Sequence, residues 1–192
     1  MSENQPYYAA YVVNGLQSDS SGIGIRDMRG NNRDKKDRNK AFGGSLGTEI
    51  GKSASIAVNY YRGAYSEDGN LGLDIYGVSG HFDNCALSFY GALHLAQQEA
   101  FMAGSTTDTE TLSKNGFYLQ GAYKFANKLE PVIRYDQITL DGAAENNRQR
   151  ISLGLNYHLF SNAVLKAHYD IISDDGADID DNVLSFQFAV GF

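Results

Sequence analysis

The segment that most constrains the fold is residues 182–192, where apolar side chains alternate with small or polar ones. The apolar positions are Leu184, Phe186, Phe188, Val190 and Phe192. A period of two is that of a β-strand with one apolar and one small polar face. A free edge on such a strand would template aggregation, and closing the sheet into a barrel removes that edge. The segment therefore favours a closed barrel over a soluble β-sandwich.

Composition excludes several classes of protein. The 192 residues suffice for one domain, and no apolar run is long enough for a membrane helix. A barrel strand needs only about 9–11 alternating residues, so the absence of a long apolar run does not exclude a transmembrane barrel. The net charge of −7 argues against a nucleic-acid partner, and the single cysteine, Cys85, allows neither an intramolecular disulfide nor a metal cluster. Residues 1–6 are no signal peptide, so an exported chain would be a mature form or a fragment.

Ten segments of the chain alternate in this way and predict ten strands. They are residues 7–14, 40–51, 54–65, 70–82, 84–100, 115–126, 128–139, 147–160, 162–172 and 182–192. Very short connections alternate with longer polar ones at 15–39, 66–69, 101–114, 140–146 and 173–181. Transmembrane barrels sort short periplasmic turns and longer extracellular loops in this manner. We therefore predict an all-β fold, a transmembrane antiparallel up-and-down β-barrel of about ten strands, forming one domain over residues 1–192 with both termini periplasmic.

The opposite faces of these strands predict a lipid-facing side and a polar interior. In the fourth segment the alternation assigns Leu71, Leu73 and Ile75 to lipid and Asp74 to the interior. Pro131 lacks an amide donor, so it predicts a bulge or a lost hydrogen bond near one end of its strand.

The charged residues of the interior are the candidate pore-lining set. They are Lys124, Arg134, Arg148, Arg150, Lys166, Asp74, Asp136 and His158. Folding the hairpins about their connections places Lys124 opposite Glu130 and Asp136 opposite Arg150. Arg134, Arg148 and Lys166 then have no carboxylate directly opposite. These three residues fit a cationic wall along an aqueous path, and equally the ordinary filling of a lumen by charge pairs.

Two loops carry concentrated charge. Residues 26–39 combine six basic with three acidic residues, which fits a loop that narrows the barrel or an external loop that contacts lipopolysaccharide phosphates. Residues 173–181 are rich in aspartate but lack the ordered ligand spacing and terminal glutamate of an EF-hand. We therefore predict no metal site and no cofactor.

Several stretches resemble Gram-negative outer-membrane porins, nearest the C-terminal part of the phosphate-selective porin O and P family. The matching stretches are residues 117–123, 129–136 and 152–159, with 11–15 and 39–42 similar to an internal strand and outer loop. The resemblance implies a sixteen-stranded trimeric pore with an arginine-lined anion path. This chain departs from that pattern with ten strands, and of the family's pore residues only Arg134 has a motif match. Phosphate selectivity is therefore not carried over.

The last strand also resembles the C-terminal signal that the barrel assembly machinery reads, in Phe186, Phe188, Val190 and the final Phe192. The predicted function is an outer-membrane pore for passive diffusion of small hydrophilic solutes or anions. The alternative is a narrow non-conducting barrel that acts as a scaffold or adhesin through its loops. An enzyme is not expected, because no set of nucleophile, base and orienting group emerges from the sequence. Expected partners are outer-membrane lipids, lipopolysaccharide, the assembly machinery and a possible homotrimer.

Overall fold

The protein is described by a computed structural model at residues 4–16, 39–66, 69–102, 105, 107–126, 128–140, 147–174 and 181–191. These residues form ten strands. They are β1 (Gln5–Asn14), β2 (Lys40–Ile50), β3 (Ala54–Ala64), β4 (Gly72–Asp83), β5 (Leu87–Phe101), β6 (Thr109–Tyr123), β7 (Leu129–Leu140), β8 (Arg148–Phe160), β9 (Ala163–Asp174) and β10 (Val183–Val190).

All ten strands belong to one antiparallel sheet whose spatial order is the order of the chain. The prediction of an all-β, up-and-down arrangement of ten strands is therefore confirmed. No helix in the described part of the chain is long and apolar enough to cross a membrane.

The sheet is open, which differs from the predicted closed barrel. Among the described residues β1 pairs only with β2, and β10 pairs only with β9. Every ladder that forms joins strands consecutive in the chain, whose connections bring their ends together. No connection links β1 to β10, so nothing local sets their pairing.

The sheet has two distinct faces. We call the face that carries Arg134, Asp136 and Arg150 the inner face, and the opposite one the outer face. Several inner side chains are nearly inaccessible, such as Leu73 at 1%, Gln98 at 0% and Lys114 at 5% exposure. Large outer side chains mostly remain about 40–60% exposed, as Val58, Leu119 and Leu153 do. A single-layer sheet buries one face in this way when it coils with that face inside, because side chains crowd on a concave surface.

The fourth strand corrects one of the predicted face assignments. Leu73 pairs with Gly63 and Ile75 with Tyr61, which places both apolar residues on the inner face. Leu73 packs there with Tyr65, Leu71 and Ala96 in an apolar cluster. Asp74 consequently lies on the outer face, so its predicted pore-lining position is wrong. The prediction failed because the half of β4 near the short connection carries its apolar residues on the outer face, at Tyr76, Val78 and Phe82.

Two further predictions concern β6 and β7. Residues 109–114, predicted as loop, are strand and extend the β5–β6 ladder to Phe101 and Thr109. Their polar composition resembles a loop, but the partner strand is long enough to pair with them. Of the two outcomes predicted for Pro131, the lost pairing is found and the bulge is not: the β6–β7 ladder stops at Val132, next to Pro131, while the β7–β8 ladder passes Pro131 without a register shift.

Candidate functional site

The inner face of β7, β8 and β9 carries a network of charged side chains centred on Asp136. Arg134, two residues away on the same strand, donates from Nε to both carboxylate oxygens of Asp136 at 2.9 Å. Arg150, directly opposite on β8, donates from Nε to Asp136 Oδ2 at 3.2 Å. The predicted pairing of Asp136 with Arg150 is therefore confirmed. Arg134 also stacks on Tyr118 of β6, with its guanidinium carbon 4.0 Å from the ring centroid, a contact that the sequence did not predict.

Asp170 on β9 is the most buried carboxylate of this network, with a relative exposure of 8%. Its Oδ2 lies 3.8 Å from Arg150 Nη1 and 3.9 Å from His168 Nε2. Its Oδ1 has no hydrogen-bond partner among the described protein atoms. Asp170 therefore lies within ion-pair distance of Arg150, although the closer contacts of Arg150 are with Asp136.

Arg148 has a carboxylate directly opposite, contrary to prediction. It lies opposite Asp174, with Nε 3.1 Å from Oδ1 although the atoms are not aligned for a hydrogen bond, and it also pairs with Asp181. Asp174 was missed because the 173–181 segment was assigned to a loop. Lys166 lies opposite Asn156 and Gln187, and no described carboxylate forms an ion pair with it. Arg134 has no carboxylate directly opposite, as predicted, but it pairs with Asp136 on its own strand. Of the three cations, Lys166 is therefore the one that forms no ion pair among the described residues.

The end of the sheet with the short connections has its own polar contacts. Glu130 accepts hydrogen bonds from Asn156 Nδ2 at 3.0 Å and lies 2.8 Å from His158 Nε2. The predicted pair of Lys124 with Glu130 is absent among the described residues, because β6 ends at Tyr123 and Glu130 is already engaged. His158 lies on the inner face as predicted.

Two inner-face contacts were not anticipated from the sequence. Lys114 on β6 is buried and donates to Gln98 on β5, next to the apolar cluster of Leu73. Ser55 Oγ lies 2.7 Å from His81 Nδ1, and the His81 ring stacks on Tyr90. The second contact contains a hydroxyl and a base, but no described carboxylate forms an ion pair with His81, so the orienting third group of a catalytic triad is not identified.

The inner face is chemically divided between its two halves. The wall of β2 to β5 carries mostly small side chains at mid-height, namely Ser45, Gly47, Ala57, Gly77, Ser79 and Ala92. The wall of β7 to β9 carries the long charged side chains of the Asp136 network. The two halves differ in charge rather than in free space, since the Tyr7 ring lies over Gly47 and the His94 ring lies over Gly77.

The terminal strand presents its predicted assembly residues on the outer face. Phe186, Phe188 and Val190 alternate there and are all exposed, Phe186 to 76%. Phe192 lies outside the described residues, as do the loop positions 17–38 and 175–180. The proposals for those loops therefore stay predictions.

Within the described ranges, no group of three or more His, Cys, Asp or Glu side chains is placed to hold a metal ion. The chain matches no protein-family model and no curated protein sequence. The site is therefore interpreted from its own geometry.

Removing the Asp136 carboxylate tests the network. Asp136→Asn leaves Arg134 and Arg150 without their shared anion, and we expect the free energy of unfolding to fall by about 1–3 kcal/mol. Glu49→Gln is the matched control, since it removes an inner-face carboxylate for which the described residues show no ion pair. Equilibrium unfolding in urea measures both. Equal stability of the two variants would contradict the central role of Asp136.

Proposed function

We propose that this chain is a bacterial outer-membrane β-barrel whose inner face lines a pore for passive diffusion of small hydrophilic solutes or anions. The observation that carries the proposal is the contrast between the two faces of one continuous sheet. A soluble sheet would cover its apolar face with a second layer. Here the described residues provide no such layer, and the outer face remains exposed along all ten strands.

The outer face has the chemistry of a lipid-contacting belt. On β8 it carries Ile151, Leu153, Leu155, Tyr157 and Leu159 at alternate positions. This run spans about 26 Å along the strand, which at the usual tilt gives about 20 Å of height. The belt becomes polar towards the end with the long connections, where Arg62, Asp74 and Gln97 lie side by side. An apolar belt of this height that ends in polar residues fits the hydrocarbon layer of a membrane better than a surface that contacts another protein.

The inner face suits an aqueous path. Charged side chains are costly in a dry core unless they are paired, and water-filled lumens tolerate them. In a closed barrel, the uncharged wall of β2 to β5 would face the charged wall of β7 to β9 across the lumen. Arg134, Arg148 and Arg150 are neutralised by carboxylates, so we assign the anion preference chiefly to Lys166.

A second candidate function is a non-conducting barrel that acts through its external loops. The specific observation in its favour is the filling of the inner face near the long connections. Tyr65, Leu73, Gln98 and Lys114 are all nearly inaccessible there. A lumen blocked at this level would not conduct, whereas the external loops would remain available for contacts.

Conductance and ion selectivity in planar bilayers test the proposal. We expect discrete channels with a modest preference for anions across a KCl gradient, despite the net charge of −7. Acidic residues in external loops face bulk electrolyte and are screened over about 8 Å. Charges on the lumen wall are confined by low-dielectric surroundings and dominate the potential that an ion meets.

The variants Lys166→Gln and Arg134→Gln locate the effect. Lys166→Gln should lower the anion preference, and adding Arg134→Gln should move it further towards cations because Asp136 loses one partner. Lys52→Gln, in the turn between β2 and β3, is the control and should leave the reversal potential unchanged. A cation-selective wild type would reject the role of Lys166. Absence of conductance would favour the scaffold function.

A further inference from the structure

The two free edges of the sheet belong to β1 and β10, and the register of the nine observed ladders constrains how they would meet. Inner residues that lie directly opposite one another form a row across the sheet. The row begins at Gln5, the first residue of β1. It then passes through Glu49, Ser55, His81, Tyr90, Gln120, Arg134, Ser152 and Asp170. It reaches β10 at Val183, the first residue of that strand. Because β1 and β10 run in opposite directions, the row starts at the short-turn end and finishes at the long-loop end.

This displacement of the row from one end of the strands to the other corresponds to the register shift that a closed barrel requires. Strands in barrels tilt by about 35–45° from the axis, and the tilt fixes the shift of register around the barrel. With about 3.4 Å per residue and about 4.8 Å between strands, ten strands need a shift of roughly ten to fourteen residues. The partner of Val183 on the β1 side would then lie roughly ten to fourteen residues beyond Gln5.

Side-chain parity narrows the choice. Gln5 and Val183 both lie on the inner face, so only an even shift keeps inner residues inside after closure. Three registers remain, in which Tyr11 faces Gln187, Ala189 or Gly191. They are distinguished by the residues that they bring together on the outer face.

The upper limit of the apolar belt selects among these registers. On β1 the belt ends below Asn14, which lies opposite Lys40 and accepts a hydrogen bond from its Nζ. With Tyr11 opposite Gln187, the outer pairs are Tyr8 with Val190, Ala10 with Phe188, and Val12 with Phe186. Asn14 then faces Leu184, the first apolar outer residue of β10, whereas in the two other registers it faces Phe186 or Phe188, which lie deeper in the belt.

We propose that β1 pairs with β10 of the same chain in the register that places Tyr11 opposite Gln187. This inference rests on the proposed barrel and adds its closing ladder. The ladder extends from Tyr7 and Gly191 to Val13 and Ser185, and further towards Leu16. It continues one inner row through Gly43, Tyr11, Gln187 and Lys166, so Tyr11 lines the lumen two strands from the lysine that has no ion pair.

Cysteine cross-linking tests the register. In a Cys85→Ser background, Tyr11→Cys with Gln187→Cys is folded into phosphatidylcholine vesicles, oxidised mildly and analysed by mass spectrometry of the linked peptides. Ala9→Cys with Ala189→Cys probes the same register without removing Tyr11, whose ring covers Gly43. The positive control is Lys166→Cys with Gln187→Cys, an observed β9–β10 pair. Shifted pairs join Tyr11→Cys to Ser185→Cys, Ala189→Cys or Gly191→Cys.

We expect both in-register pairs to link as fully as the positive control and the shifted pairs to lose most of that yield. A shift of two residues moves the Cα atoms apart by about 7 Å, beyond ready disulfide reach. Preferential linkage of a shifted pair would overturn the register and leave the pore proposal intact. Linkage only between chains would show that the edges join two copies. Efficient control linkage with none across β1 and β10 would refute closure, and conductance would then decide the pore separately.

Discussion

An arginine placed at Leu153 on the outer face is expected to lower the free energy of unfolding in a lipid bilayer by about 2–4 kcal/mol. Leu153 lies between Ile133 and Tyr169 in the middle of the apolar belt and is 48% exposed. If the belt contacts lipid, the guanidinium must enter the hydrocarbon or distort the bilayer. Chemical unfolding from vesicles, followed by the loss of the heat-modifiable band, measures the effect.

The neighbouring residue provides a matched control. Ser152 lies on the inner face between Arg134 and Asp170, and an arginine there would meet the carboxylate oxygen of Asp170 that has no hydrogen-bond partner. Ser152→Arg should therefore change stability by less than about 1 kcal/mol. Equal destabilisation by the two arginines would contradict the assignment of the outer face to lipid.

The largest effect in cells is expected from the terminal strand. Changing Phe188 and Phe192 to serine should abolish most insertion into the outer membrane, while spontaneous refolding in detergent survives better. The physical reason is that, under the proposed function, the strand has two roles, as part of the lipid-contacting belt and as the signal read by the assembly machinery. The amount of folded, heat-modifiable protein in isolated membranes measures insertion.

Gln187→Ser is the control for these serines, because Gln187 lies on the inner face of the same strand. It should insert normally. Normal insertion of the variant with Phe188 and Phe192 changed to serine would contradict the signal role. If this variant and Gln187→Ser both failed to refold in detergent to the same extent, the loss of insertion would be explained by lower stability alone.

The strands and much of their register could be predicted from alternation, because a period of two determines both the element and its faces. Counting outward from the connections placed Asp136 opposite Arg150, and that pair is found. The same count left Arg134 and Lys166 without an opposing carboxylate, and they lie opposite Ser152 and Asn156. The bond between Arg134 and Asp136 was not predicted, because only cross-strand neighbours were considered. Residues two apart on a strand share a face, and a long arginine reaches across that distance.

The failures arose where strand ends or apolar patterns were ambiguous. Asp174 was assigned to a loop, so the partner of Arg148 was lost. In β4 the apolar residues change face between Ile75 and Tyr76, and no count of alternation reveals which half faces inward. Only the ladder with β3 decides it, through Tyr60 opposite Tyr76 and Tyr61 opposite Ile75.

The strictly sequential strand order has a consequence for how this chain folds. Each of the nine observed ladders joins strands that are consecutive in the chain, so hairpins can form in succession at a lower entropic cost than contacts between distant segments. The ladder between β1 and β10 would join residues near opposite ends of the 192-residue chain. In the unfolded chain, closing that span would cost about 2 kcal/mol more than closing one hairpin, so the hairpins form first. Closure should therefore be the last and slowest step, and nearly complete intermediates should expose both edges until it occurs.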